Sequence, residues 1–204
     1  MGSESMSAYD AVAVQYSKVF DDISLRCFEW PWLRAEILNL KPDSLLDLGC
    51  GNGYLLKALK PMVPLLYGIE PCAPMFNIAQ EQLGDDIQLY MTQAENLCFA
   101  DNYFDAIVSL LSFRYMDWDK ALSETARVLK PEGTLIIIDL FAAAFDPLKT
   151  GKYIGAWVKT HIEYAAHRKY HRKLKELSGN PDWQKMVGEF PKREYKDAKQ
   201  AVEK

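Results

Sequence analysis

From residue 44 to residue 141 short apolar runs alternate with stretches of helical periodicity. Five runs read as strands: Ser44–Leu48, Leu65–Glu70, Ile87–Met91, Phe104–Leu111 and Thr134–Leu140. Between most of them lie helical patterns at Tyr54–Lys60, Ala73–Leu83 and Trp118–Lys130. Strands apolar on both faces, separated by helices, predict a parallel sheet covered on both sides. Lys130-Pro131-Glu132-Gly133 is expected to stop the last helix and turn the chain into the fifth strand. Two amphipathic patterns precede this core, Ala8–Phe20 and about Trp32–Leu40, the second begun by Pro31 at a first-turn position. After it, Lys152–Leu177 reads as a long helix ended by Ser178-Gly179-Asn180-Pro181, and Tyr195–Lys204 as a final polar one.

The chain therefore divides into N-terminal helices at 1–40, an α/β core at 41–145 and a C-terminal helical segment at 146–204. With 204 residues, 49% of them hydrophobic and 25% charged, it can bury a full core. No run reaches the roughly 18 apolar residues of a membrane span, and the N-terminus has no secretory pattern. Cys27, Cys50, Cys72 and Cys98 show no metal-ligand spacing, so the expectation is reduced thiols in a cytoplasmic protein without metal. His167 and His171 stand one turn apart but have no further ligand in view. The net charge of −4 hides an asymmetry: residues 1–145 carry 10 Lys/Arg against 20 Asp/Glu, residues 146–204 carry 14 against 8.

The first strand runs into Asp47-Leu48-Gly49-Cys50-Gly51-Asn52-Gly53-Tyr54 and a helix follows at once. Such a strand, glycine turn and helix start form a nucleotide-cofactor site, because glycine allows both the turn and close approach to the main chain. A dinucleotide fingerprint would place its third glycine at position 54, where Tyr54 stands, and no Gly-Lys-Ser/Thr of a phosphate loop follows.

This segment resembles motif I of the class I S-adenosylmethionine-dependent methyltransferases, of the type-11, UbiE-like kind. The resemblance continues through Glu70 at the end of the second strand and Gln93-Ala94-Glu95-Asn96-Leu97-Cys98-Phe99. It extends to Phe104-Asp105-Ala106-Ile107-Val108 and Arg127-Val128-Leu129-Lys130-Pro131-Glu132-Gly133. It implies a Rossmann-like, doubly wound, mostly parallel sheet with helices on both faces. On this reading the family's final antiparallel strands would be missing, because Lys204 falls inside what reads as the last helix.

The resemblance also implies S-adenosylmethionine as cofactor and S-adenosylhomocysteine as product. The contacts would come from Asp47, Gly49, Cys50, Gly51, Asn52 and Gly53 in the turn and from Glu70 and Pro71 after the second strand. Glu70 would accept the ribose hydroxyls. Gln93 and Ala94 would lie beside the adenine, Ser109 near the end of the fourth strand, and Tyr9 and Tyr16 in an N-terminal lid. Gln93 stands where the family more often has Asp, which weakens adenine recognition without removing the acceptor.

Methyl transfer to a small-molecule acceptor by in-line displacement is the leading expectation, with proximity and water exclusion as the protein's main contribution. The catalytic candidates are Tyr9, Tyr16, Arg114, Tyr115 and His161; Arg114 would clamp a carboxylate or phosphate rather than act as a base. A non-catalytic cofactor-binding module or partner subunit is one alternative. Another is an RNA methyltransferase using the basic stretch His167–Lys173. Nucleic acid is disfavoured as substrate, because Ser109-Leu110-Leu111-Ser112 lacks the Asp/Asn-Pro-Pro-aromatic motif of base-nitrogen methylation. A homodimer stays open, since a five-strand sheet leaves an edge to be covered.

Overall fold

The computed structural model describes residues 3–26, 29–139 and 175–188. Five strands, β1 (Ser44–Leu48), β2 (Leu65–Ile69), β3 (Gln88–Tyr90), β4 (Phe104–Leu110) and β5 (Leu129–Ile138), form one sheet in the order β3-β2-β1-β4-β5. All four pairings are parallel. The order reverses direction between β1 and β4, so their carboxyl ends diverge and leave a crevice there.

Helices α1 (Ser3–Val19) and α2 (Glu29–Leu40) precede the sheet; α3 (Tyr54–Leu59), α4 (Ala73–Leu83) and α5 (Trp118–Val128) connect its strands; α6 is Pro181–Gly188. β1 shows why the sheet is sandwiched: all five of its residues are buried. Leu45 packs with Leu33, Ile37 and Leu56 of α2 and α3, whereas Leu46 and Leu48 pack with Trp118, Ala121 and Val128 of α5. Alternation along the strand thus feeds two separate apolar layers. Truncating a buried leucine such as Leu46 to alanine would cost about 2–5 kcal/mol.

The α5–β5 junction differs from the pattern-based expectation. α5 stops at Val128 and β5 already begins at Leu129, which pairs with Phe104; the next partners are Ala106 and Thr134. The expected turn at Lys130–Gly133 is therefore an excursion inside the strand. Its sharpest point is exposed Glu132, with φ at 64°. Asp105 fastens this corner, accepting from Ser44 N (2.9 Å), Ser44 Oγ (2.7 Å) and Lys130 Nζ (2.7 Å). Tertiary bonding to β4 decides a boundary that proline and glycine alone placed five residues later.

α1 lies outside this sandwich and packs on α4 through Ala13, Cys72 and Met75. Leu177 and Trp183 in turn cover Val19 and Tyr16. The long helix expected at Lys152–Leu177 falls mostly outside the described residues, and the one at Tyr195–Lys204 falls wholly outside them. Among the described residues no helix is long and apolar enough to cross a membrane.

Candidate active site

The chain leaves β1 through three glycines in the left-handed region, Gly49 (φ 72°), Gly51 (φ 57°) and Gly53 (φ 83°). The N–H groups of Gly49 and Cys50 both donate to Ile69 O at 2.9 Å, which binds the turn to the end of β2. A Cβ on Gly49 would come within 2.7 Å of Ser112 Cβ, and one on Gly53 within 2.7 Å of Leu83 Cδ1. One on Gly51 would meet no atom within 4 Å. Two of the glycines are thus demanded by packing inside the protein, and the middle one presents bare main chain to the crevice.

Two carboxylates flank that main chain. Glu70 Oε2 accepts from Gly51 N at 2.8 Å, and its Oε1 from Cys72 N at 2.9 Å. Burial raises its pKa, and the two N–H bonds oppose the rise. Asp47 is 2% exposed and lines the crevice. It accepts no hydrogen bond among the described residues, and burial together with the charge of Glu70 pushes its pKa up to about 8. Two acidic groups around one exposed peptide turn make an environment that favours a hydroxyl-bearing, cationic ligand.

Gln93, Ala94 and Glu95 form a further wall. Arg127 of α5 pins the chain just after them, donating to Leu97 O (2.9 Å) and Phe99 O (2.8 Å), while Glu124 accepts from Leu97 N (2.8 Å). The opposite wall comes from α1. Tyr9 Oη donates to Tyr115 Oη at 3.2 Å, and the two rings stand edge to face at 5.7 Å. Asn52 Nδ2 donates to Phe20 O at 2.9 Å, tying the glycine turn to the loop after α1.

Residues 46–137 match the family described as Methyltransferase domain. The chain is 31% identical to a demethylmenaquinone methyltransferase of Thermotoga maritima over 78% of its own length and 71% of that protein's. The chain belongs to the class I S-adenosylmethionine-dependent methyltransferases. It is also 30% identical to a tRNA (carboxymethyluridine(34)-5-O)-methyltransferase of Arabidopsis thaliana, over 74% of this chain but only 37% of that one. Among solved structures, a chain from the complex between the Haloferax volcanii Trm112 methyltransferase activator and a methyltransferase superposes with a TM-score of 0.60. That match has 20% identity over 98% of this chain and 75% of the other, and it supports the fold alone.

In this methyltransferase fold the crevice gathers most of the residues expected from sequence. Asp47, Gly49, Cys50, Gly51 and Asn52 line it from the turn, and Glu70 and Pro71 from the end of β2. Gln93 and Ala94 line it from the third wall, and Tyr9, Tyr16 and Tyr115 from the lid side. Gly53 lies behind the turn against Leu83. Ser109 is fully buried and bonds to Ser112 Oγ at 2.7 Å; it braces the wall from inside instead of facing the crevice.

Arg114 also points away. Its guanidinium is buried and pairs with Asp139 at 2.7 Å, while Asp139 Oδ2 accepts from Arg114 N at 2.8 Å. It fixes the loop that presents Tyr115 and does not line the crevice, contrary to a role as a substrate clamp. His161 lies outside the described residues, as does the basic stretch His167–Lys173. Tyr9 and Tyr115 are weak proton acceptors, because burial raises both and pushes Tyr115 up to about 12. The crevice also contains Glu95 of the Gln93–Phe99 segment, together with Arg26, Asp22 and Met116, which the sequence does not mark. Arg26 and Asp22 reach it only because the loop after α1 folds back onto the turn. No periodicity or motif carries that information.

Proposed function

We propose that this chain transfers the methyl group of S-adenosylmethionine to a small-molecule acceptor. The observation that carries the reading is the bare main chain at Gly51, flanked by the carboxylates of Glu70 and Asp47, at the switch point of the sheet. These residues fit the cofactor. Glu70, held by two N–H groups, keeps lone pairs for a ribose diol. Asp47, buried with no hydrogen-bond donor to it among the described residues, matches a cationic amino-acid end. Gln93 and Ala94 stand where an adenine edge would lie.

When bound, the cofactor supplies an electrophilic methyl group, so the protein mainly aligns the acceptor and keeps water out. Tyr9, Tyr16 and Tyr115 wall the acceptor side with aromatic rings; burial raises Tyr9 and Tyr115, so the hydroxyls of these two stay protonated near neutrality and act as hydrogen-bond partners. Any proton that the acceptor must lose leaves from an acceptor that ionises on its own or to solvent, not to these tyrosines.

A second reading has one observation behind it: the likeness to the Arabidopsis tRNA enzyme, joined to the positive charge of residues 146–204. Calorimetry with S-adenosylmethionine and S-adenosylhomocysteine tests the cofactor. Binding in the micromolar range is expected, and no heat with either ligand from folded protein sinks the proposal. Labelled-methyl transfer to quinol-type small molecules against transfer to bulk tRNA then separates the two acceptor classes.

A further inference from the structure

The crevice wall that carries Gln93, Ala94 and Glu95 has no regular structure of its own. Between the end of β3 at Tyr90 and the start of β4 at Phe104 the chain forms neither helix nor strand. Its local bonds describe a turn, with Asn96 N donating to Gln93 O at 3.1 Å and Thr92 Oγ1 to Asn96 O at 3.0 Å.

α5 holds this segment from outside. Before its first turn, Asp117 N donates to Glu95 Oε1 at 2.6 Å. In its last turn, Arg127 engages all five of its N–H donors. Nε and Nη2 bond the two oxygens of Glu124, both at 2.8 Å, and Nη2 also bonds Leu97 O at 2.9 Å. Nη1 bonds Phe99 O and Asp101 Oδ1, both at 2.8 Å. Glu124 Oε2 returns to the same segment by accepting from Leu97 N at 2.8 Å. One ion pair thus holds both main-chain groups of Leu97, as a neighbouring strand would.

The side chains of Arg127 and Glu124 are 32% and 23% exposed, so water screens their attraction and their share in overall stability is small. What the planar fork provides is direction, because a rigid guanidinium can bond two carbonyls while gripping a carboxylate. Ala94 and Leu97 are buried in the layer beneath α5, so the register set at Leu97 is passed back to the crevice. The Gln93 amide can reverse its donor and acceptor ends, whereas a main-chain N–H or C=O cannot. A choice between bases of different donor pattern therefore rests on where the main chain of 93–95 stands.

We infer that Arg127, joined to Glu124, is a positioning residue for nucleobase choice: it sets the register of the 93–95 wall, and with it the preference for adenine over a base whose hydrogen-bonding edge is reversed. Arg127 touches no ligand itself, and its effect on binding rests on the cofactor proposed above.

Titration calorimetry compares S-adenosylhomocysteine with S-inosylhomocysteine, which has an oxygen in place of the adenine amino group and a proton on the adjacent ring nitrogen. The wild type is expected to prefer the adenosyl ligand about 10-fold. Arg127→Ala and Arg127→Lys should weaken S-adenosylhomocysteine by about the same factor and the inosyl ligand far less, so that the preference disappears. Arg127→Lys keeps the charge and the aliphatic stem but loses the fork, and it guards against a folding artefact in the alanine variant. In the unliganded variants, amide hydrogen exchange should quicken at Leu97 and stay unchanged in β1 and β4.

A wild type that binds both ligands equally, or a preference kept by either variant, overturns the inference and leaves Arg127 a surface brace. Unchanged exchange at Leu97 overturns it as well. Wild-type protein that binds neither ligand refutes the proposed function instead, and exchange at Leu97 then decides on its own whether Arg127 sets the wall.

Discussion

The two ends of the crevice are built from different materials. At the glycine turn the chemistry rests on main chain: N–H groups of Gly51 and Cys72 hold Glu70, and N–H groups of Gly49 and Cys50 bind to Ile69 O. At the lid end it rests on side chains: Tyr9 on Tyr115, Arg26 on Tyr16, Arg114 on Asp139. Main-chain geometry changes little with substitution, so the first end suits a ligand that never varies. Side-chain walls can be rebuilt residue by residue, which suits the partner that differs between members of a fold family.

The largest expected effect is on the side-chain end. Arg114→Ala leaves the Asp139 carboxylate buried without its guanidinium and should lower stability by about 3–5 kcal/mol in chemical denaturation. A loss under about 1 kcal/mol would mean that the lid-side wall does not depend on this pair. Next in size, the near-isosteric Glu70→Gln should weaken S-adenosylhomocysteine about 100-fold while the fold persists, because acceptor lone pairs are replaced by a donor. Unchanged affinity would remove Glu70 from the ribose site.

Asp47 gives a pH signature. Its carboxyl titrates near pH 8 in the fold and near 3.8 when unfolded, so the native state holds a proton that the unfolded state has lost between those values. Native stability should therefore fall as pH rises from about 4 to 8 and level off above that. Asp47→Asn should flatten this slope and be the more stable protein at pH 8. In binding, a cation beside Asp47 favours its ionised form. Wild-type affinity for S-adenosylhomocysteine should accordingly increase from pH 6 to pH 8, and that of Asp47→Asn should not. Smallest is Tyr9→Phe, which loses one hydroxyl contact at 3.2 Å. We expect about 0.5–1 kcal/mol in stability, cofactor affinity within about twofold, and a measurable change only in turnover with acceptor.

Arg114 and Arg26 show where reading the chain stops. Both are single arginines in short connections, and the sequence points to the first as the clamp. The fold gives Arg114 to Asp139, at the end of β5, and brings Arg26 to the crevice through contacts with Phe20 and Tyr16. Ser109 was misplaced for a similar reason. A strand-end serine can face a ligand or its own neighbours, and here Ser112 claims it. The turn itself was legible, because positive φ at Gly49, Gly51 and Gly53 is a local demand that spacing along the chain already displays.

By itself, then, the sequence determined the five strands, the doubly wound order they imply and the glycine-turn end of the crevice. Those features follow from periodicity, backbone freedom and the strand-end acid, all of which act within a few residues. Only the tertiary structure decided where β5 begins, which arginine faces the crevice and how α1 closes over Tyr115. Each of these depends on a partner far away in the chain, and hydrogen bonds and charge pairs chosen by proximity in space leave no spacing to read.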